Sequence, residues 1–152
     1  MRALLAALAV SAAYPGAWAT LAPRSFFDTF PGADRHWTAA LPAYSEHLVT
    51  DVGAFYLGFA LLLAWAAWRP ARELVVPVCS AFALFSAIHL AWHSAHLDAL
   101  GTVDAVLQTA SLTAVFVASL GAAVLAARSR VNDAGYGCEG AGRSSNPATG
   151  DG

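Results

Sequence analysis

Four apolar stretches, each close to the length a lipid bilayer demands of a helix, take up most of this 152-residue chain. A hydrocarbon core roughly 30 Å thick calls for about 20 consecutive apolar residues per helix. The stretches run over residues 3–21, broken only by Pro15, then 52–68 between Asp51 and Arg69, then 74–92 and 105–127. None alternates polar and apolar residues with period two, the pattern of a barrel strand. The predicted fold class is all-α, an integral membrane bundle of four transmembrane helices within residues 1–130. Composition agrees: 58% of residues are hydrophobic and only 12% charged, where soluble domains carry roughly a quarter. A net charge of −2 supplies no basic field for nucleic acid, and so apolar a chain is neither disordered nor an ordinary cytosolic enzyme. The lipid bilayer is the expected surrounding.

Basic residues give the orientation, because short cytoplasmic loops collect positive charge. With the N-terminus inside, Arg2, Arg69, Arg72, Arg128, Arg130 and Arg143 lie on the inner side and only Arg24 and Arg35 on the outer. The expected localisation is the cell membrane, multi-pass, with both termini cytoplasmic. Trp65, Trp68 and Trp92 near the span ends suit an interfacial aromatic belt. The first span also fits a secretory signal, with Arg2, an apolar stretch, Pro15-Gly16 and the small-residue site Ala17-Trp18-Ala19. Cleavage after Ala19 would leave three spans in the same orientation; the continued apolar run to Ala22 favours retention.

Residues 23–44 form the one sizeable outer segment. Ser25-Phe26-Phe27-Asp28 has the form of a capping box. Phe26, Phe27, Phe30 and Trp37 suit a connector anchored to the membrane surface, and Pro31-Gly32 marks a turn. The short connection Arg69–Glu73 makes the second and third spans antiparallel neighbours. Residues 131–152, rich in Gly, Ser, Asn and Asp, read as a disordered cytoplasmic tail. Cys79 and Cys138 both fall on the reducing side, so no disulfide is expected. Gly53 and Gly58, and Gly121 with Ala122 and Ala123, are small residues of the kind that let membrane helices approach.

In this topology His36, His47, His89, His93 and His96 all lie at or beyond the outer face. On a helix, the spacings of four and three put His89, His93 and His96 along one stripe. Ser45 is a natural N-cap, which makes His47 and Asp51 an i, i+4 pair in the next helix's first turns. Asp104, Gln108 and Ser111 repeat the pattern on the last span. Three helices thus bring polar groups to one depth, as bundle proteins do when they build cofactor sites. Ionisable groups in a membrane segment are costly and face the bundle interior or a wet cavity. Imidazole with carboxylate suits first-row transition metals. The candidate metal ligands are His89 and His93, with His47 or Asp51 from the facing helix and His96 and Asp104 in support; a haem held by histidines from two helices is the other cofactor reading. Phe82 and Phe85 read as packing, and Tyr56 as a potential hydrogen-bond donor to this outer cluster. Against any site stands the bland reading: carboxylates at helix starts and imidazoles at a helix end also suit the helix dipole.

Pro23-Arg24-Ser25-Phe26-Phe27-Asp28, Phe30-Pro31-Gly32, Glu46-His47-Leu48-Val49, Asp51-Val52-Gly53 and His89-Leu90 with His93 and His96-Leu97 together resemble small four-helix membrane proteins of actinobacteria. Their topology is similar to that of the DoxX-like group, some of whose members are linked to quinone-coupled oxidation of sulfur compounds. The resemblance covers residues 1–130, matches no catalytic motif, and implies only an inner-membrane protein with its distinctive residues outside. Two function classes follow. One is a metal- or haem-binding, oxidoreductase-like membrane protein, with a zinc hydrolase using Glu46 as base as a variant of it. The other is a non-enzymatic membrane component that binds a membrane-protein partner or a second copy of itself.

Overall fold

The structure, a computed structural model, describes residues 1–40 and 43–139, with side chains of the last helix described through Ser129. It is an all-α fold. Four long helices, α1 (Arg2–Leu21), α3 (Glu46–Trp68), α4 (Arg72–Ser94) and α5 (Thr102–Glu139), are joined by a short helix α2 (Pro23–Thr29), a small hairpin and a 3-10 turn at Leu97–Ala99. All four long helices are apolar and long enough to cross a membrane. In lipid the backbone must satisfy its own hydrogen bonds, and the helix does this within one segment. Both the expected fold class and its four spans are present.

The helix limits differ from the hydropathy limits at their polar ends. Helix α3 starts at Glu46 behind the N-cap residue Ser45, so the turn bearing His47 and Asp51 is helical although it is not apolar. Helix α5 continues to Glu139, past Arg130 where the polar tail begins; residues 140–152 lie outside the described residues.

Packing is uneven. Helix α1 packs most extensively against α3, and α4 against α5, while contacts between the two pairs are sparser. The α1–α3 seam is drawn tight by two glycines. A Cβ on Gly53 would stand 2.6 Å from Thr20 Oγ1 and 2.8 Å from its backbone nitrogen, and one on Gly16 would stand 3.0 Å from Leu57 N. Gly58 and Gly121 make no such approach, since a Cβ there meets nothing within 4 Å; of the small residues expected at helix contacts, Gly53 serves as one, and Ala122 and Ala123 lie buried in the core. At the end of the bundle holding the start of α1, Leu5, Leu63, Val75, Cys79 and Ala122 are completely or almost completely buried. Phe82 tops this packed core. Phe55, Leu61, Leu84, Ile88, Val117 and Leu125 point outward and are exposed, as side chains facing lipid tails would be.

The other end carries the 23–40 segment. Helix α2 begins with Pro23 in its first turn behind Ala22, the position where proline's missing N–H is no loss. The expected capping box is therefore not formed: Ser25 lies inside α2, where its Oγ accepts a hydrogen bond from Trp18 Nε1, and Asp28 pairs with Arg24. Strands β1 (Pro31–Gly32) and β2 (Arg35–His36) pair antiparallel with Gly32 opposite Arg35. The two linking residues, Ala33 and Asp34, have φ of 55° and 57°, the conformation of a tight two-residue hairpin turn. Contrary to expectation, the aromatics of this segment do not all face a membrane surface. Phe26 and Trp37 are each only 9% exposed, and Phe26, Phe30 and Trp37 join Tyr14 and Trp18 of α1 in one aromatic cluster.

Candidate functional site

Between the two tight helix pairs, beneath the hairpin, lies a cavity of about 480 Å³. Each long helix contributes residues at helical spacing. Helix α1 supplies Val10, Ser11, Tyr14 and Pro15; α3 supplies Val52 and Tyr56; α4 supplies Phe82, Ser86, His89 and His93; α5 supplies Gln108, Ser111, Leu112 and Val115. Phe26, Phe30, Pro31, Trp37 and Thr38 complete the wall from the connecting segment. The 4-3-4 spacing along α4 keeps its four residues on one face. No Asp, Glu, Arg or Lys is among the described residues lining this space.

The hairpin is tied over it by a carboxylate. Asp104, in the first turn of α5, accepts a hydrogen bond from Trp37 Nε1 at 2.9 Å and pairs with Arg35. On its other side the hairpin is held by Tyr14, which donates to the Pro31 carbonyl at 3.1 Å, and by Thr38, which donates to the Phe27 carbonyl at 2.8 Å. His36 Nδ1 is 2.6 Å from the Asp28 carbonyl; a carbonyl can only accept, so Nδ1 carries the proton.

Along the α4 and α5 wall the polar groups are differently engaged. Gln108, 4% exposed, is hydrogen-bonded to His93. The Ser111 hydroxyl donates to the Gln108 carbonyl at 2.9 Å. His89 stacks on Phe85 with ring centroids 5.7 Å apart, meets Tyr56 edge to face at 6.4 Å, and lies 4.5 Å from the His93 ring. The His89 ring, the Tyr56 hydroxyl and the Ser86 hydroxyl have no hydrogen-bond partner among the described residues.

The six candidate residues, expected as His89 and His93 with His47 or Asp51 around an ion and His96 and Asp104 in support, are divided among four places. His89 and His93 face the cavity together. His47 and Asp51 pair with each other at 3.3 Å on an exposed face of α3; Val52 and Tyr56, not these two, are the α3 residues that reach the cavity. Asp104 is engaged by Arg35 and Trp37. His96 leaves the stripe because α4 ends at Ser94; its ring stacks on Trp92 at 4.2 Å and its Nδ1 bonds the Trp92 carbonyl. Among the described residues no three His, Cys, Asp or Glu side chains are placed to hold a metal ion. Nor do two helices bring histidines together as a haem between them would need. His89 and His93, one turn apart on a single helix, cannot take opposite faces of a haem. The reason is rotational: equal depth in the membrane does not give equal facing.

Phe82 proves to be packing, as expected, against Phe59 at 5.0 Å, and it also forms the cavity floor. Tyr14, Ser86 and the inward side of the Phe26–Trp37 segment were not marked by their sequence. The Phe82-Ser86-His89-His93 spacing was the available signal. Comparison with protein-family models, curated proteins and solved structures yields no match.

Proposed function

We propose that this chain is a multi-pass protein of the cell membrane, its termini cytoplasmic and its hairpin outside, that binds a small uncharged apolar molecule in the cavity beneath that hairpin. The observation that carries this reading is the cavity itself: about 480 Å³, walled by all four long helices and the connecting segment, mostly apolar with six aromatic side chains, and without an Asp, Glu, Arg or Lys among its described lining residues. Small-molecule sites commonly have volumes of roughly 300–1,000 Å³ with apolar walls and a few convergent polar groups. Interiors are otherwise close-packed, as the opposite end of this bundle is. The lining sets the ligand class, since an ionised ligand would find no counter-charge there and would be costly to desolvate. The orientation rests on the arginine bias, with Arg2, Arg69, Arg72 and Arg128 at the end away from the hairpin.

The test is extraction and mass spectrometry of small molecules that accompany the detergent-purified protein, alongside elemental analysis. The expected result is a neutral organic compound near one equivalent, absent from a Ser111→Trp variant that fills the cavity yet keeps its helicity. A transition metal near one equivalent, lost in His89→Ala/His93→Ala, would instead favour the metalloprotein reading, with ligands beyond those two supplied by water or a bound molecule.

A further inference from the structure

The polar groups of the cavity say more about its occupant, on the reading that the cavity binds an apolar molecule. Ser86 is 6% exposed, and its hydroxyl has no partner among the described residues although a serine within a helix can usually turn to the carbonyl one turn back. His89 sits three residues further along the same face of α4, and the Tyr56 ring stands 6.4 Å from the His89 ring across from α3. Two hydroxyls and an imidazole N–H therefore converge on one corner of an apolar chamber with hydrogens to give. These groups open onto the cavity; an apolar body filling it would shut them away without a partner at a cost of about 1–3 kcal/mol each, so the occupant that fits this corner carries an acceptor to it.

No hydrogen bond from these three groups to a protein acceptor is formed among the described residues. An alcohol would bring another donor into this corner. A carbonyl oxygen brings two lone pairs and no hydrogen of its own. A carboxylate would accept as well, but no cationic side chain lines the cavity to stabilise it.

We infer that the occupant is a neutral carbonyl compound, a ketone or ester on an apolar ring or chain, whose oxygen is received by Tyr56, Ser86 and His89 while its apolar body lies against Phe26, Phe30 and Trp37. No bond is made or broken in this step; it is recognition.

The experiment uses the full chain in lipid nanodiscs with two probes of similar shape, 2-acetylnaphthalene labelled with carbon-13 at its carbonyl, and naphthalene. Isotope-edited infrared spectroscopy reads the carbonyl stretch, which moves to lower frequency when the oxygen accepts hydrogen bonds. In the wild-type protein the bound ketone shows a band below its position in empty nanodiscs. Tyr56→Phe and Ser86→Ala each return it part of the way and, combined with His89→Phe, bring it to the lipid value. The triple variant weakens acetylnaphthalene binding by roughly tenfold or more, the loss of two or three modest hydrogen bonds, and binds naphthalene at least as tightly as the wild-type protein because its wall is more apolar; unchanged helicity shows that it is folded. Equal binding of the two probes with an unshifted carbonyl band would overturn carbonyl recognition and leave the apolar cavity standing. Binding of neither probe to the wild-type protein would overturn the cavity reading and this inference together.

Discussion

Trp37 Nε1 donates a hydrogen bond to Asp104 Oδ1 across 67 residues of sequence, joining the hairpin segment to the first turn of the last helix. The indole is a cavity wall and the carboxylate is its anchor, so the shape of the chamber depends on a polar contact at its rim. Arg35 holds the same carboxylate oxygen, and the hairpin turn at Ala33–Asp34 places Arg35 and Trp37 two residues apart along one extended strand end, on the same side.

Removing the anchor frees the hairpin without touching the helices. Asp104→Ala is expected to raise amide hydrogen exchange across residues 31–38 by about an order of magnitude, because hydrogen bonds to a charged group are among the stronger ties of such a segment. Exchange in the buried turns of α3 and α4 stays unchanged. Asp104→Asn, which keeps an acceptor for Trp37 but loses the charge that holds Arg35, falls between. Unchanged exchange in the alanine variant would show that the aromatic cluster alone holds the hairpin.

Gly53 and Gly58, one turn and a residue apart on the same helix, are predicted to respond oppositely to one methyl group. Gly53→Ala forces α3 away from Thr20 and is expected to destabilise the fold by about 1–3 kcal/mol, the usual cost of overpacking. Gly58→Ala meets open space and is expected to be neutral. Thermal unfolding of both variants in the same detergent measures the contrast.

Leu63 and Leu61 make a second pair. Leu63 is 0% exposed at the packed end and Leu61 is 68% exposed. Leu63→Ala leaves a cavity and is expected to cost about 2–5 kcal/mol, whereas lipid closes around Leu61→Ala, which is expected to unfold with the wild-type midpoint. Equal loss in both would mean that Leu61 is covered by another protein surface.

His47→Ala with Asp51→Ala is expected to leave ligand binding in the cavity unaltered, because these side chains are 88% and 51% exposed on a different face of α3. His89→Ala, on the cavity wall, is expected to weaken it several-fold. Titration of the co-purified ligand into delipidated protein distinguishes the two sites, and a loss of binding in the His47/Asp51 variant would contradict the assignment of the cavity wall.

Orientation is tested by cysteine labelling in whole cells after Cys79→Ala and Cys138→Ala. A cysteine introduced by Ala99→Cys, in the turn between α4 and α5, is expected to react with a membrane-impermeant maleimide from outside. One introduced by Ala71→Cys, in the connection between α3 and α4, is expected to react only after the membrane is opened. The reverse result would invert the topology drawn from the arginines.

Much of the fold was legible because apolar length is a local property. Residues 52–68 and 74–92 announce helices in lipid whatever surrounds them, and Ser45 correctly extends α3 over the polar turn of His47 and Asp51. The stripes His89-His93 and Gln108-Ser111 were readable as faces, while His96 and Asp104, read on the same stripes, were drawn off to other partners. The outer segment was not, since Phe26 and Trp37 would be as stable against a lipid headgroup region as against Trp18 and Asp104, and local sequence does not distinguish those surroundings.

The sequence by itself determined that four long helices form and which residues within each share a face, because those follow from a 3.6-residue period and the cost of exposing backbone to lipid. The tertiary structure decided what each face meets. Close approach at Gly16 and Gly53 sets the rotation of α3 about its axis, which turns Tyr56 inward and His47 and Asp51 outward, while the end of α4 at Ser94 releases His96. Six residues at one depth therefore became a two-histidine cavity wall, a surface pair, a hairpin anchor and a ring stacked on Trp92, since rotational phase between helices is fixed by packing across the bundle and is not written in any one helix.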